Sequence, residues 1–325
     1  MTPVPRLRIV YFGTPEFAVP ALQTLIASRH HVVALVSQPD RPKGRGQKLQ
    51  PTPTKLVAEA AGVPVLQPSK VKDPAFHAAV AALAPDLGVV AAYGRLIPDA
   101  VLTIPRLGMI NIHASLLPEY RGAAPVHRAV IDGAHETGVS IMRVVTELDA
   151  GPVFATAHRP IGPHETTPEV ERALAALGAS LALGVVDQLA DGAPVPIEQN
   201  HAAATFAPKI ERHEGTIDWT LPAARIHDLV RGLQPWPLVA VRVDGVRCLL
   251  HRTALTVEKT TAAPGTVTAA SNGVLAVAAG DGAVLRILEI QPEGKRVMSA
   301  REFLAGRALA PGARLNAPGS PADQE

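Results

Sequence analysis

Apolar runs alternate with amphipathic stretches through the first 190 residues. Arg8-Ile-Val-Tyr-Phe12 is a short strand-like run ending at Gly13-Thr-Pro15. Thr14 is placed to cap a helix with Pro15 at its first position and Glu16 in its first turn, running to about Ser28. His31–Val36, Asp86–Ala92 and Gly108–His113 repeat the strand pattern. Helical spacing fills the intervals near Thr52–Ala61, Asp73–Ala84 and Pro125–Asp132. Val139–Val145 and Val153–Ala157 add two strands, and an Ala-rich helix follows from Pro168 to Leu189. Strands alternating with helices predict an α/β fold, a doubly wound and mostly parallel sheet.

The pattern changes after Gly192. Residues 192–208 are polar and punctuated by Gly and Pro, which reads as a linker. Beyond it lie a helix near Ala223–Arg231 and five short strands, at 238–243, 246–254, 266–268, 274–278 and 283–290. Asp244-Gly245, Asn272-Gly273 and Asp281-Gly282 mark turns between several of them. Five short strands predict a C-terminal small β-barrel of oligonucleotide-binding type. The expected organisation is a domain over 1–191, a linker over 192–208, a barrel domain over 209–314 and a frayed tail over 315–325.

Composition narrows the function classes. Hydrophobic residues make up 47% of the 325 positions and charged residues 18%, as in an ordered globular protein. The net charge is only +2, so affinity for a polyanion must come from local patches. One patch is clear: Arg41, Lys43, Arg45, Lys48 and Lys55 fall in a stretch without an acid, broken by Gly44, Gly46 and three prolines. Such a loop is not expected to form a regular element. The single Cys248 excludes an intrachain disulfide and a Cys-rich zinc site, and reads as a small hydrophobe. No uninterrupted run of about twenty apolar residues and no signal-peptide layout is visible, so a cytoplasmic chain is expected, with no membrane partner. Only Gly13 follows the first strand, where a dinucleotide fingerprint needs three glycines, so no nicotinamide cofactor is expected.

Candidate chemistry gathers on Gly108-Met-Ile-Asn-Ile-His113. Side chains alternate along a strand, so Asn111 and His113 point the same way. Leu116-Leu-Pro118 ends the strand, leaving the pair at a strand end, where open sheets keep their sites. Asp149 sits in a second loop and could orient the imidazole. Amide, imidazole and carboxylate together suit acyl transfer: one stabilises an oxyanion, one shuttles a proton, one holds the shuttle. Each also has a plainer use, Asn and His as strand-end structure and Asp as a turn former before Gly, and spacing alone leaves both open.

Residues Asn111 to Pro125, Asn-Ile-His-Ala-Ser-Leu-Leu-Pro-Glu-Tyr-Arg-Gly-Ala-Ala-Pro, closely resemble the signature of the 10-formyltetrahydrofolate-dependent formyltransferases, as does Glu147-Leu-Asp-Ala-Gly151. Four further segments resemble the branch of that family that formylates methionine on initiator tRNA: Phe12–Ala18, Gln38–Lys48, Ala92–Pro98 and Gln234–Pro237. The match runs in order from about Leu7 to about Arg314.

The resemblance implies a formyltransferase fold, 10-formyltetrahydrofolate as formyl donor, initiator methionyl-tRNA as acceptor, and no metal. Asn111 and His113 would stabilise the tetrahedral intermediate, with Asp149 holding the His. For the folate it points to Tyr93, Gly94, Leu96, Ile97, Ser115, Leu116, Leu117 and Pro118. For the tRNA it points to Arg41, Lys43, Arg45 and Lys48 in the loop, and to Lys209 and Arg212 after the linker. Arg242, Arg247, Arg252, Lys295 and Arg296 would offer a backbone-binding face on the barrel, and Trp236 between two prolines would pack rather than stack on a base. A monomer is expected. Three other readings compete: a sugar-nucleotide N-formyltransferase, a formyltetrahydrofolate hydrolase, and an RNA-binding protein whose catalytic half is a relic. The barrel and basic loop oppose the first, the barrel opposes the second, and the intact triad opposes the third.

Overall fold

The computed structural model describes residues 5–43, 48–192 and 194–316. Two compact units emerge: residues 1–125, 136–160 and 171–207 form the first, and 126–135, 161–170 and 208–325 the second.

In the first unit the chain runs β1 (Arg8–Gly13), α1 (Val19–Ile26) and β2 (His31–Val36). A short hairpin follows, β3 (Arg41–Lys43) and β4 (Lys48–Gln50), then α2 (Pro53–Ala60), β5 (Val65–Leu66) and α3 (Pro74–Ala82). Next come β6 (Leu87–Ala91), α4 (Asp99–Leu102), β7 (Met109–His113) and β8 (Arg121–Gly122). After α5 (Pro125–Ile131), which past Pro125 belongs to the second unit, the strands β9 (Glu136–Arg143) and β10 (Val153–Pro160) lead to α6 (Thr167–Asp191), part of the first unit from residue 171 on, and to β11 (Phe206–Ala207).

Seven strands form one sheet in the order β10-β9-β7-β6-β1-β2-β5. Pairing is parallel from β7 to β5 and antiparallel at β9 and β10. This is the predicted doubly wound, mostly parallel sheet. The chain builds outward from β1 to β5, then crosses back to place β6 on the other side of β1. That reversal leaves a crevice beyond the carboxyl ends of the strands, where the loops after β1, β6 and β7 emerge. β6 is buried along its whole length, as a central parallel strand covered on both faces must be.

Local chemistry sets the helix starts. Thr52 accepts from the Lys55 amide ahead of Pro53, and Asp73 accepts from the Ala75 amide ahead of Pro74. Thr14 does not repeat the device. Pro15 precedes a 3-10 turn at Glu16–Ala18 without a side-chain cap. The Thr14 hydroxyl donates instead to the Tyr93 carbonyl (3.2 Å) and accepts from the Gln38 amide (3.3 Å), tying together the loops after β1, β6 and β2. By length and composition alone, α6 is apolar enough to cross a membrane. Its packing on the sheet is close: a Cβ at Gly178 would lie 2.8 Å from Ile112 Cγ2.

The second unit holds α7 (Ala223–Gly232), β12 (Val239–Val243), β13 (Val246–Lys259), β14 (Val267–Ser271), β15 (Val274–Ala278), β16 (Ala283–Pro292), β17 (Met298–Ser299) and α8 (Ala300–Ala305). Its sheet is ordered β12-β13-β16-β15-β14, with antiparallel neighbours. Asp244-Gly245 and Asn272-Gly273 all have positive φ, the tight-turn geometry their sequences predict. One C-terminal segment stitches both edges. Asn316 exchanges hydrogen bonds with Arg242 of β12, while the Val267 amide of β14 donates to the Ala313 carbonyl. The edge strands are thereby covered and the sheet becomes the expected small barrel. Leu315 is 1% exposed and Asn316 is paired, so neither belongs to a frayed tail; residues 317–325 lie outside the described residues.

Candidate active site

Asn111 and His113 share one face at the carboxyl end of β7, and the structure brings Asp149 to them. Asp149 Oδ2 lies 3.7 Å from His113 Nδ1. His113 is 5% exposed, and its Nε2 stands 3.0 Å from the Tyr120 carbonyl oxygen. A carbonyl only accepts, so Nε2 carries a hydrogen, and Nδ1 is the nitrogen on the side of Asp149. Asn111 is half-buried, and among the described residues nothing hydrogen bonds to its amide. An amide and an imidazole therefore share one face at the strand end, with a carboxylate next to the imidazole.

The three residues Tyr120-Arg121-Gly122 hold this arrangement. The Tyr120 carbonyl fixes His113, while the Gly122 amide donates to Asp149 Oδ2 at 2.9 Å. Tyr120 and Asp149 both have left-handed backbones, with φ of +55° and +49°. Non-glycine residues in that region persist only where their surroundings over-determine them, and such positions concentrate at functional sites. The supports come from the stretch read from sequence as a linker. The Thr205 hydroxyl accepts from the Tyr120 amide (2.8 Å), β11 pairs in parallel with β8, and Gln199 bonds the Arg121 side chain. These residues escaped the sequence reading because a polar residue in a polar segment carries no periodic signal. Ser140 was also missed, although a lone hydroxyl in the apolar run Val139–Val145 marks it. It is fully buried, donates to the Ser115 carbonyl (2.8 Å) and accepts from the Leu117 amide (3.0 Å).

The residues expected to hold a folate divide. Gly94 and Leu96 are exposed, Leu96 by 80%, at the carboxyl end of β6. Ile97 packs against the core. Tyr93 is buried edge-to-face against Phe12, with ring centroids 5.4 Å apart. Its hydroxyl has no hydrogen-bond partner among the described residues, and burial pushes its pKa up. What Tyr93 offers the loop is its carbonyl, which accepts from Thr14 and Gln38. Ser115 is buried and donates to the Glu119 carbonyl (2.6 Å). Leu116, Leu117 and Pro118 are half-buried, and Leu116 lies over Gly138, where a Cβ would collide with it.

The basic loop is partly regular: β3 and β4 pair in antiparallel fashion, Arg41 opposite Gln50 and Lys43 opposite Lys48. Arg45 lies outside the described residues. Arg41 is exposed and its Nη2 donates to Gln38 Oε1 (2.7 Å). Lys55 is spent at the loop's base, 2.6 Å from Asp40 Oδ2, and that contact holds Asp40 below the usual carboxylate range. In the second unit Lys209 and Arg212 are exposed. Arg252 and Arg296, read as part of a phosphate-binding face, are paired with Glu169 (2.7 Å) and Glu302 (2.6 Å). Cys248 is fully buried, and burial pushes its thiol up to about 11.

The formyl transferase family model matches residues 7–186, and the model for the formyl transferase C-terminal domain matches 209–308. A methionyl-tRNA formyltransferase from Methylococcus capsulatus is 45% identical over 309 residues, 95% of this chain and 99% of its own. Among solved structures, the N-formyltransferase from Helicobacter canadensis in complex with folinic acid and dTDP-3-aminofucose is similar, with a TM-score of 0.67. It is 14% identical, over 88% of this chain and 99% of its own. HypX from Aquifex aeolicus in complex with tetrahydrofolic acid gives 0.61 at 18% identity, over 92% of this chain and 47% of its own. At such identities these two share the fold alone. The two matched domains in order, and the 45% identity along almost the whole length, establish that this chain belongs to the methionyl-tRNA formyltransferase family.

Proposed function

We propose that the chain transfers the formyl group of 10-formyltetrahydrofolate to the α-amine of methionine esterified to initiator tRNA, in the cytosol and in support of translation initiation. The observation that carries this reading is the site itself. His113 Nδ1 stands 3.7 Å from Asp149 Oδ2, and Asn111 lies two residues before it on the same strand face. The amine attacks the formyl carbon and the carbonyl electron pair moves onto oxygen, where the Asn111 amide donates to it. Such a donor is worth about a hundred- to a thousandfold in rate. His113 Nδ1 takes the amine proton, and the resulting imidazolium faces the Asp149 carboxylate. The same proton then passes to the folate nitrogen as its bond to the formyl carbon breaks and the carbonyl re-forms. This general acid–base role is worth about a hundred- to ten-thousandfold.

The donor's place is the crevice beyond β6 and β7, where the exposed backbone of Gly94 and the exposed Leu96 offer a polar edge and an apolar wall for a flat heterocycle. Arg41, Lys43, Arg45 and Lys48 would grip the acceptor end of the tRNA, with Lys209 and Arg212 as further phosphate contacts. Lys55 closes the base of that loop. Catalysis is assigned to residues 1–191 and backbone binding to the barrel over 209–314. A monomer suffices for this reading, because the triad and the hydrogen bonds that hold it come from one chain.

The test is single-turnover transfer of labelled formyl to charged initiator tRNA, to charged elongator tRNA, and with no acceptor. Transfer to the initiator alone is expected, falling steeply with salt as phosphate contacts are screened. Formate release without acceptor preference would move the reading to a hydrolase.

A further inference from the structure

The stretch before β11 reaches back into the site through one side chain. Gln199 is 8% exposed, and both ends of its amide are engaged. Its Oε1 accepts from Arg121 Nε (3.1 Å) and Nη2 (2.7 Å). Its Nε2 donates to the backbone carbonyls of Asp149 (2.9 Å) and Gly151 (2.7 Å). Both donors and the acceptor of the amide are therefore in use. Arg121 is 3% exposed and cannot accept, so its Nη2 also donates to His201 Nδ1 at 3.1 Å; its nearest carboxylate, Glu147, is 3.9 Å away. The Asp149 loop needs such a clamp. Its left-handed backbone is unfavourable for a residue with a Cβ unless its surroundings hold it. Gly151 sits so tightly that a Cβ would strike the Arg143 carbonyl. Gly122 holds the Asp149 carboxylate and Gln199 holds its carbonyl, so the residue is fixed from both ends.

We infer that Gln199 is a positioning residue for formyl transfer: by pinning the Asp149 and Gly151 carbonyls to buried Arg121, it holds the Asp149 carboxylate against His113. This rests on the reading that His113 and Asp149 carry the chemistry. The Glu isostere separates positioning from simple stability. In Gln199→Glu the side chain keeps its shape and its contact with Arg121, and loses both donors to the Asp149 loop.

The experiment uses the full chain with charged initiator tRNA and 10-formyltetrahydrofolate, measuring kcat and both KM values for Gln199→Glu and Gln199→Ala. Misplacement by about an ångström costs up to roughly a hundredfold, so both variants are expected to lose about ten- to a hundredfold in kcat with both KM values within about twofold. Combining Gln199→Ala with Asp149→Asn is expected to be no slower than Asp149→Asn alone, because the clamp acts only through that carboxylate. Wild-type kcat in Gln199→Glu, or a fully additive loss in the double variant, would overturn the inference. If Gln199→Ala does not fold, the Glu variant decides alone. His113→Ala serves as the control for the underlying reading: near-normal turnover there would sink the site assignment itself, whatever Gln199 does.

Discussion

Asn111 and His113 were legible as a pair because strand geometry needs only a two-residue spacing, and the structure puts both on one face of β7. What holds them was not, since the partners lie far apart in sequence: Ser140 is 25 residues from the carbonyl it binds, and Gln199 is 78 from Arg121. Ser140 gives the sharpest test among these supports. It bonds both Ser115 and Leu117 from a fully buried position, so Ser140→Ala strands a backbone donor and an acceptor away from water. Leaving such a group unsatisfied costs about 1–3 kcal/mol. A lowered thermal midpoint is expected, with a raised KM for the folate donor and an unchanged KM for tRNA, because the Ser115–Pro118 loop it ties down is one of the two segments the family resemblance points to for the folate. A wild-type midpoint would show that water replaces the hydroxyl.

At the scale of elements, α6 and β7 meet at a point where two effects oppose each other. Gly178→Ala should strengthen the helix by about 1 kcal/mol through propensity. The added Cβ, however, would sit 2.8 Å from Ile112 Cγ2, and overpacking of this kind typically costs about 1–3 kcal/mol. Overpacking should win. Ile112 lies between Asn111 and His113, so the strain falls on the strand that aims them. The expected variant is less stable and slower, read by chemical denaturation and by kcat together; greater stability at full activity would mean the helix simply moves away. Elements with clear periodicity and caps, such as α2, α3, β2 and β15, were readable from sequence. The two-residue strands β5, β8, β11 and β17 were not, because two residues carry no period. The helix α8 could have been found: Ser299 and Glu302 form a reciprocal capping box that the sequence spells out. Thr14 shows the converse. A good cap residue was taken by tertiary contacts with Tyr93 and Gln38.

Over the whole molecule, the response to acid should bear the mark of the second unit. His127 and His227 both belong to it, and burial lowers the pKa of each below the usual 6.5. His227 is 4% exposed; its Nε2 donates to the Pro163 carbonyl and its Nδ1 accepts from the Thr253 hydroxyl, both at 2.8 Å. Neutral imidazole satisfies both partners, whereas a proton on Nδ1 would force the hydroxyl to turn away. The unfolded chain therefore binds these protons more readily than the folded one. Their stabilising contribution is fully present above pH 6.5 and is lost progressively as the pH falls from there through the lowered folded-state pKa, by at most about 1.4 kcal/mol per pH unit for each histidine. The carboxylates act lower. Glu169 is drawn down to about 2 by the Thr166 amide and by Arg252, so its contribution is present above the ordinary carboxylate range and disappears between about pH 5 and 2. Two steps are thus expected as pH is lowered, a histidine step starting near 6.5 and a carboxylate step below 5. Denaturant midpoints measured at intervals from pH 8 to 2 would resolve them. His227→Gln should flatten the first step and leave the second, and Glu169→Gln should do the reverse. An unchanged slope between pH 7 and 5 in His227→Gln would show that this histidine is protonated as readily in the folded chain as in the unfolded one.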